Sequence, residues 1–373
     1  MYKISMLNKI SPKGTSVFDD KYDLGEFENP DAVILRSASM HEMQLPETLL
    51  GIARAGAGTN NIPIDKCSQN GIVVFNTPGA NANAVKELVI CGLLLSCRKV
   101  VAGAQWADSL AGEGENVGKL VEKGKSNFAG PEIMGKTLGI IGAGAIGRLV
   151  ANAAAALGMN VICYDAFAPK NISELLAQSV RVADSMEEIR ANSDFISVHV
   201  PLNDGTRSMI DRQFLSGCKD GVRILNFARG PIVNSDDIVE ALESGKVAAY
   251  VVDFPDDKVL GKPGVTALPH LGASTPESEE NCAKMAAEQL RLFLEYGCIK
   301  NSVNMPDICL KDIPGTVTTV FAEQQAKDEI NRAAGDEVKS VSKNGYIYMG
   351  FAGDVSGKLG AVDSICKIRV IEK

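Results

Sequence analysis

LGIIGAGAIG, residues 138–147, decides the fold of this 373-residue chain. Its four leading apolar positions read as the end of a buried strand, and Gly142, Gly144 and Gly147 follow in the spacing G-x-G-x-x-G. The next run, RLVANAAAAL at 148–157, is rich in helix formers. Gly158 is placed to end that helix before a second apolar strand at 160–164, which stops on Asp165. In such a unit the first glycine allows a tight turn, the second lets a pyrophosphate approach the backbone, and the third lets helix and strand pack closely. The helix N-terminus offers unpaired N–H groups to the anion. An isolated glycine triplet also occurs as plain packing, but strand, turn, helix, strand and acid in this order point to a dinucleotide site. Asp165 stands where a ribose 2′-hydroxyl is accepted and a 2′-phosphate repelled, and 166–170 holds no arginine, which favours NAD over NADP.

A chain of this length exceeds one ordinary core, so two or three domains are expected. With 45% apolar and 23% charged residues it has the composition of a soluble globular protein. The net charge of −8 argues against nucleic acid or an anionic membrane as the main partner. No apolar run approaches the roughly 20 residues of a membrane span, and the opening MYKISMLNKI has no apolar leader core, so a cytoplasmic protein is expected. The nine cysteines (Cys67, Cys91, Cys97, Cys163, Cys218, Cys282, Cys298, Cys309 and Cys366) are odd in number and scattered. They form no C-x-x-C and have no nearby histidine, so they read as free thiols without a metal.

Before the fingerprint, apolar runs at 32–35, 50–55 and 72–76 read as strands separated by helices, the pattern of a parallel sheet. A long apolar helix is expected over 85–101, followed by a polar crossing at 103–135. After Asp165 the alternation continues with strands at 195–200, 223–227, 248–253 and 265–268 and helices at 211–215 and 235–244, the latter capped by Ser235. A helix over 275–296 opens with Thr275 and Pro276, a good N-cap and N1 pair. The fingerprint is internal, so the nucleotide-binding domain is expected to be inserted in a first domain whose last helix returns after 275.

Only three histidines are present. His41 sits in a polar loop and His199 follows the apolar run 195–198, reading as surface and buried structural residues respectively. His270, in PHLGAST, lies at the C-terminal end of a strand just before the returning helix, where the topology points to the crevice between domains. Arg229 ends RILNFARG at another such edge and is placed to bind a carboxylate bidentately. Arg54 in ARAGAG and Arg36 in LRSAS end two strands of the first domain, the cations a phosphorylated acid needs. Thr77, Gly79, Ala80 and Asn81, in NTPGANA, form a turn whose N–H groups suit a carboxylate. Each arginine also has a plain alternative as a structural ion pair, and the turn as a mere turn.

The motifs PHLGAST, NFARGPIV, ARAGAGTNN and FNTPGANA resemble the D-2-hydroxyacid dehydrogenase family, most closely its D-3-phosphoglycerate dehydrogenase branch, over about 34–303. The resemblance implies an α/β protein of two Rossmann-like doubly wound parallel-sheet domains, with the NAD domain (99–275) inserted in the substrate domain (1–98 and 276–304). It also implies hydride transfer from C2 of a phosphorylated 2-hydroxy acid, with Arg229 anchoring substrate and His270 as acid/base. Ala145, Ile146, Phe227 and Ala228 would meet the cofactor, together with Asp253, Gly272 and Ala273 and, on the adenosine side, Thr206. Homodimers or homotetramers are expected.

A neighbouring carboxylate raises a histidine's pKa and fixes its tautomer. The family places a glutamate after the Asp253 position; here the chain reads Phe254-Pro255-Asp256-Asp257-Lys258, so with a one-residue gap Asp257 takes that place, with Asp256 as the fallback. Asp257 is one methylene shorter, and a misplacement of about 1 Å can cost on the order of 10²-fold in rate. The segment 305–373 resembles a shortened ACT domain, a small α+β regulatory or dimerising unit, with a helix expected over 355–362. Leu310 and Asp312 replace its effector-binding His and Asn, which makes serine feedback doubtful. The leading function is NAD-dependent oxidation of 3-phospho-D-glycerate. A glyoxylate or hydroxypyruvate reductase and a non-enzymatic NAD-sensing corepressor are the alternatives.

Overall fold

In a computed structural model, residues 1–169 and 171–372 are described. They form two compact units, Met1–Asn81 with Thr275–Lys373, and Ala82–Ser274. In the second unit the strand Thr137–Ile141 lies inside a seven-stranded parallel sheet. On one side of it lie Asn160–Tyr164 and Val180–Val182. On the other lie Phe195–Val198, Val222–Asn226, Val247–Val252 and Val265–Ala267. The chain reverses its direction of travel through the sheet between Thr137–Ile141 and Phe195–Val198, and in doubly wound sheets ligands bind beyond the C-terminal ends of strands at that reversal. Near-continuous burial of the inner strands follows from helices covering both faces, while the edge strands Val180–Val182 and Val265–Ala267 are only partly covered.

The helix Ala82–Cys97 belongs to this second unit, which therefore begins 17 residues before the boundary expected from sequence. Val85, Val89 and Leu93 place it there by packing against Leu138, Ile140 and Val251 of the sheet. The stretch expected as one helix over 85–101 breaks at 98–99, and the polar crossing contains the helices Val100–Asp108 and Val117–Gly124, neither of which buries a residue. Helix Ser235–Glu243 is capped by Asn234, not Ser235: the Asn234 side chain accepts from the N–H groups of Asp236 and Asp237.

The first unit holds a five-stranded parallel sheet in the order Tyr22–Gly25, Tyr2–Met6, Ala32–Leu35, Gly51–Arg54, Val73–Phe75. The helix Pro276–Tyr296, capped by Thr275, lays Ala283, Ala286, Leu290 and Phe293 against this sheet. The tail does not separate as a third unit. It folds as a four-stranded antiparallel sheet, ordered Lys339–Lys343, Tyr346–Ala352, Val317–Glu323, Ile365–Ile371, with the helix Lys327–Ala334. Along Val317–Glu323 the side chains alternate: Val317 and Phe321 join the core around Phe293, while Val320 and Ala322 join one with Ile330 and Phe351. Arg369 adds a polar tie, donating to the carbonyls of Phe293 and Leu294 and to the Tyr2 hydroxyl. The helix expected over 355–362 shrinks to one 3-10 turn, Ser356–Lys358, since Gly357 and Gly360 disfavour continuation.

Two cysteines depart from the free-thiol expectation. Cys298 and Cys309 form a disulfide, brought together by the antiparallel bridge between Ile299 and Ile308. Among the described residues no group of three or more His, Cys, Asp or Glu is placed to hold a metal, and no helix is long and apolar enough to cross a membrane.

Candidate active site

The fingerprint glycines occupy three different environments. Gly142 has φ +94, and a Cβ there would come within 2.8 Å of the His199 carbonyl. A Cβ at Gly147 would overlap the Gly142 carbonyl oxygen. A Cβ at Gly144 would meet nothing within 4 Å, so bare backbone is presented at the start of the helix Ala145–Ala156, which no side chain caps. Open backbone and uncapped N–H groups together fit a dinucleotide diphosphate. Asp165 lies at the end of the adjacent strand, its carboxylate accepting from Ala143 N–H (2.8 Å) and Phe167 N–H (2.9 Å). These bonds fix the acid beside the turn while leaving lone pairs for ribose hydroxyls. Of the arginine-free stretch after it, Lys170 lies outside the described residues. The Thr206 hydroxyl is engaged within its own loop, donating to Pro201 O at 2.6 Å.

Past Val222–Asn226, the turn Phe227–Ala228–Arg229 is braced by Asn226, which the sequence reading passed over. Fully buried, Asn226 accepts from Ala228 N–H (3.2 Å) and donates to Arg229 O (2.9 Å). An asparagine closing the strand after the apolar pair Ile224–Leu225 was the available signal. Phe227 is buried against Gly92, and Arg229 is exposed, its guanidinium 5.1 Å from the centre of the Phe254 ring.

His270 is exposed and holds a left-handed backbone, φ +54, which is uncommon outside glycine. Its N–H donates to Asp253 O (3.0 Å), and the Asp253 carboxylate accepts from Leu271 N–H (2.8 Å) and Gly272 N–H (2.9 Å). Burial pushes the Asp253 carboxyl above the usual range, against the opposing pull of those two bonds and of His270. The His270 imidazole packs on Phe254, ring centres 4.1 Å apart. Arg229 and His270 are thus brought to one aromatic ring. Ala273 is partly exposed beyond Gly272. Asp256 is committed elsewhere: it accepts from the Ser235 hydroxyl (2.6 Å) and from the N–H groups of Lys258 and Val259. Asp257 is exposed on the same turn.

His199 is a structural residue of this edge. Burial pushes its imidazole down to about 4, although the residue keeps some solvent exposure, and a ring nitrogen lies 2.9 Å from the Ser197 hydroxyl.

In the first unit, Arg36, Arg54 and Thr77 cluster around the buried thiol of Cys282, whose pKa is raised by burial against the effects of Thr77, Ser278 and the two arginines. Arg54 Nε donates to Asn61 Oδ1 (3.2 Å), and Asn61 in turn donates to the carbonyls of Arg36 and Ala38. Asn61 therefore ties the two arginine-bearing strand ends together, and it too was missed in the sequence. Arg36 is ion-paired with Glu279. Thr77 is fully buried, and Ala80 N–H closes the turn onto Thr77 O at 3.4 Å, so that donor is spent within the loop. Gly79, with φ +81, and Asn81 are partly exposed.

Residues 92–272 match the family model for the D-isomer specific 2-hydroxyacid dehydrogenase NAD-binding domain. The chain is 37% identical over 305 residues to a hydroxypyruvate reductase of Thermotoga maritima, covering 78% of this chain and 94% of that protein. It is 34% identical over 294 residues to a D-3-phosphoglycerate dehydrogenase of Methanocaldococcus jannaschii, covering 76% of this chain and 54% of that protein. The chain thus spans about half the length of the phosphoglycerate dehydrogenases it matches. Among solved structures, an NAD+-bound 3-phosphoglycerate dehydrogenase of Entamoeba histolytica is similar with a TM-score of 0.64 and 27% identity, over 81% of this chain and 98% of that one.

Two measurements check this site. Gly144→Asp supplies a good N-cap, so thermal stability is expected to hold, while its charge against the diphosphate lowers NAD affinity at least about tenfold by calorimetry. For His199, a base whose folded pKa is lowered, stability is complete above about pH 6.5 and is lost as pH falls through about 4. Urea denaturation across that window is expected to show a smaller loss for His199→Gln than for the parent.

Proposed function

Because the chain belongs to the D-isomer specific 2-hydroxyacid dehydrogenase family, we propose that it oxidises 3-phospho-D-glycerate to 3-phosphohydroxypyruvate, the first step of L-serine biosynthesis. The observation that carries the reaction type is the meeting of Arg229 and His270 on Phe254, in the same unit as the Gly142–Gly147 turn. Arg229 anchors the substrate carboxylate and polarises the C2 oxygen, since a guanidinium presents paired donors in one plane. His270 takes the proton of the C2 hydroxyl, with Asp257 as the carboxylate assigned to orient it. Bound NAD supplies the hydride acceptor. Phe227, Ala228, Asp253, Gly272 and Ala273 shape the nicotinamide end, with Ala145 and Ile146 at the diphosphate and Thr206 towards the adenosine. Arg54, aimed by Asn61, and the 77–81 turn serve the phosphorylated substrate.

A glyoxylate or hydroxypyruvate reductase is the second reading, favoured by one observation: Arg36 is already neutralised by Glu279, which leaves less positive charge for a phosphate. The tail, ACT-like in strand order, is read as structural or dimerising. Leu310 is fully buried, and Asp312 pairs with Lys339. The helices Val100–Asp108 and Val117–Gly124, which bury nothing and expose Val100, Val101 and Val117, are read as a surface for self-association.

NAD reduction with 3-phosphoglycerate, beside glycerate, lactate and 2-hydroxyglutarate, tests the substrate. A kcat/KM at least about tenfold higher for the phosphorylated acid is expected from one added charged contact, whereas preference for an unphosphorylated acid overturns the assignment. Arg229→Ala and His270→Ala are each expected to lose on the order of 10²-fold or more in kcat with NAD affinity retained. Sedimentation velocity is expected to show a dimer or larger, and a monomer at micromolar concentration overturns the self-association reading.

A further inference from the structure

We propose that Phe254 is a positioning residue, whose ring sets the separation and orientation of the Arg229 guanidinium and the His270 imidazole. The proposal rests on the dehydrogenase reading of those two residues. Three features place Phe254 in this role. The dipeptide Asp253–Phe254 is held from both sides: His270 N–H donates to Asp253 O, and Gly230 lies so close that a Cβ there would come within 2.7 Å of Phe254 O. The ring itself contacts both functional groups, the imidazole at 4.1 Å between centres with planes 42° apart and the guanidinium carbon at 5.1 Å from the centre. Finally, Asp256, the nearer of the two aspartates that follow, is spent on the 256–259 turn and Ser235, so it does not orient His270.

The physical logic is that of a neutral spacer with a negative face. Arg229 is permanently charged and His270 carries charge in one half of the proposed cycle, so direct contact would disfavour protonation of the histidine. An aromatic face attracts each cation without adding charge, and its fixed plane restricts where each one sits. An aliphatic side chain of similar volume fills the space but supplies neither attraction nor a plane. Of the charged groups on this edge, the Asp253 carboxylate acts on the imidazole, Arg229 shares the Phe254 ring with it, and Asp257 is the carboxylate assigned to it above. Asp253 holds the backbone of the loop, and Phe254 holds the ring.

The test compares the parent with Phe254→Leu and Phe254→Tyr. In Phe254→Leu, kcat for the 2-hydroxy acid is expected to fall by about 10- to 100-fold, with NAD affinity and thermal midpoint close to the parent. Phe254→Tyr is expected to restore kcat to within about threefold, a rescue that mere space filling does not require. Combining Phe254→Leu with Arg229→Lys is expected to cost less than the product of the separate losses, because both act on one arrangement. The His270 ring-proton resonance, assigned among three histidines through His270→Gln, reads the ring contact without turnover and is expected to lose its aromatic ring-current shift in Phe254→Leu. If Phe254→Leu keeps the parent kcat, or the His270 resonance does not move, the positioning role is overturned while the function reading stands. A parent that turns over no 2-hydroxy acid overturns the function reading, and the positioning role with it.

Discussion

The buried carboxylate of Asp253 is the constraint on which the edge carrying His270 depends. It ends the strand Val247–Val252 inside an apolar sheet, where a carboxyl without partners would be costly. Its partners are the N–H groups of Leu271 and Gly272, while its own carbonyl takes the N–H of His270. One residue therefore satisfies three consecutive donors and bends the 270–272 loop over the strand end. The left-handed backbone of His270, a conformation that costs a non-glycine residue about 1 kcal/mol, persists because these bonds over-determine the loop. Gly272 follows from the same geometry: a Cβ there would press to 3.1 Å from the acid it serves. The place of His270 is thus set by backbone chemistry before any side chain orients its ring.

A comparable economy operates at the strand ends of the first unit. Asn8 accepts from three successive N–H groups, those of Arg36, Ser37 and Ala38, and Asn61 holds the carbonyls of Arg36 and Ala38 from the other side. The loop carrying Arg36 is therefore pinned on both its donors and its acceptors. Asn61 spends its remaining acceptor on Arg54. Two small amides, with no charge of their own, fix the places of two cations. The tail is joined to the same unit by Phe321, Tyr348 and Arg369 at the C-terminal end of the helix Pro276–Tyr296, where guanidinium donors meet the carbonyls of Phe293 and Leu294 at the negative end of the helix dipole.

What the sequence made legible was local. The glycine turn, the acid that follows it, and the Thr275–Pro276 helix start are each written in a few adjacent residues, and the strands and helices around them follow from periodicity. The parts that stayed hidden depend on contacts between distant positions. Asn61, Asn226 and Phe254 are ordinary residues until folding puts a carbonyl, a turn or a cation beside them. The disulfide between Cys298 and Cys309 depends on the bridge of their neighbours Ile299 and Ile308, which no cysteine spacing announces. The tail was read as a separate unit because its composition changes after 304, yet Phe321 and Tyr348 belong to the core around Phe293. Composition reports that a segment differs and says nothing about which surface it buries.

The loop at 254–258 is held by the helix beside it rather than by the elements around His270. Asp256 caps its own turn and accepts from Ser235, and Lys258 reaches Asp236 at 2.6 Å, so the loop is sewn to the first turn of the helix Ser235–Glu243. The negative charges of Asp236 and Asp237 suit that helix N-terminus, and Lys258 offsets one of them. The loop consequently owes its shape to the helix rather than to His270. That independence leaves Asp257 on a turn held at both flanks, while the imidazole packs against the ring of Phe254 at the loop's root. The shape of the loop and the packing of the imidazole thus rest on different partners.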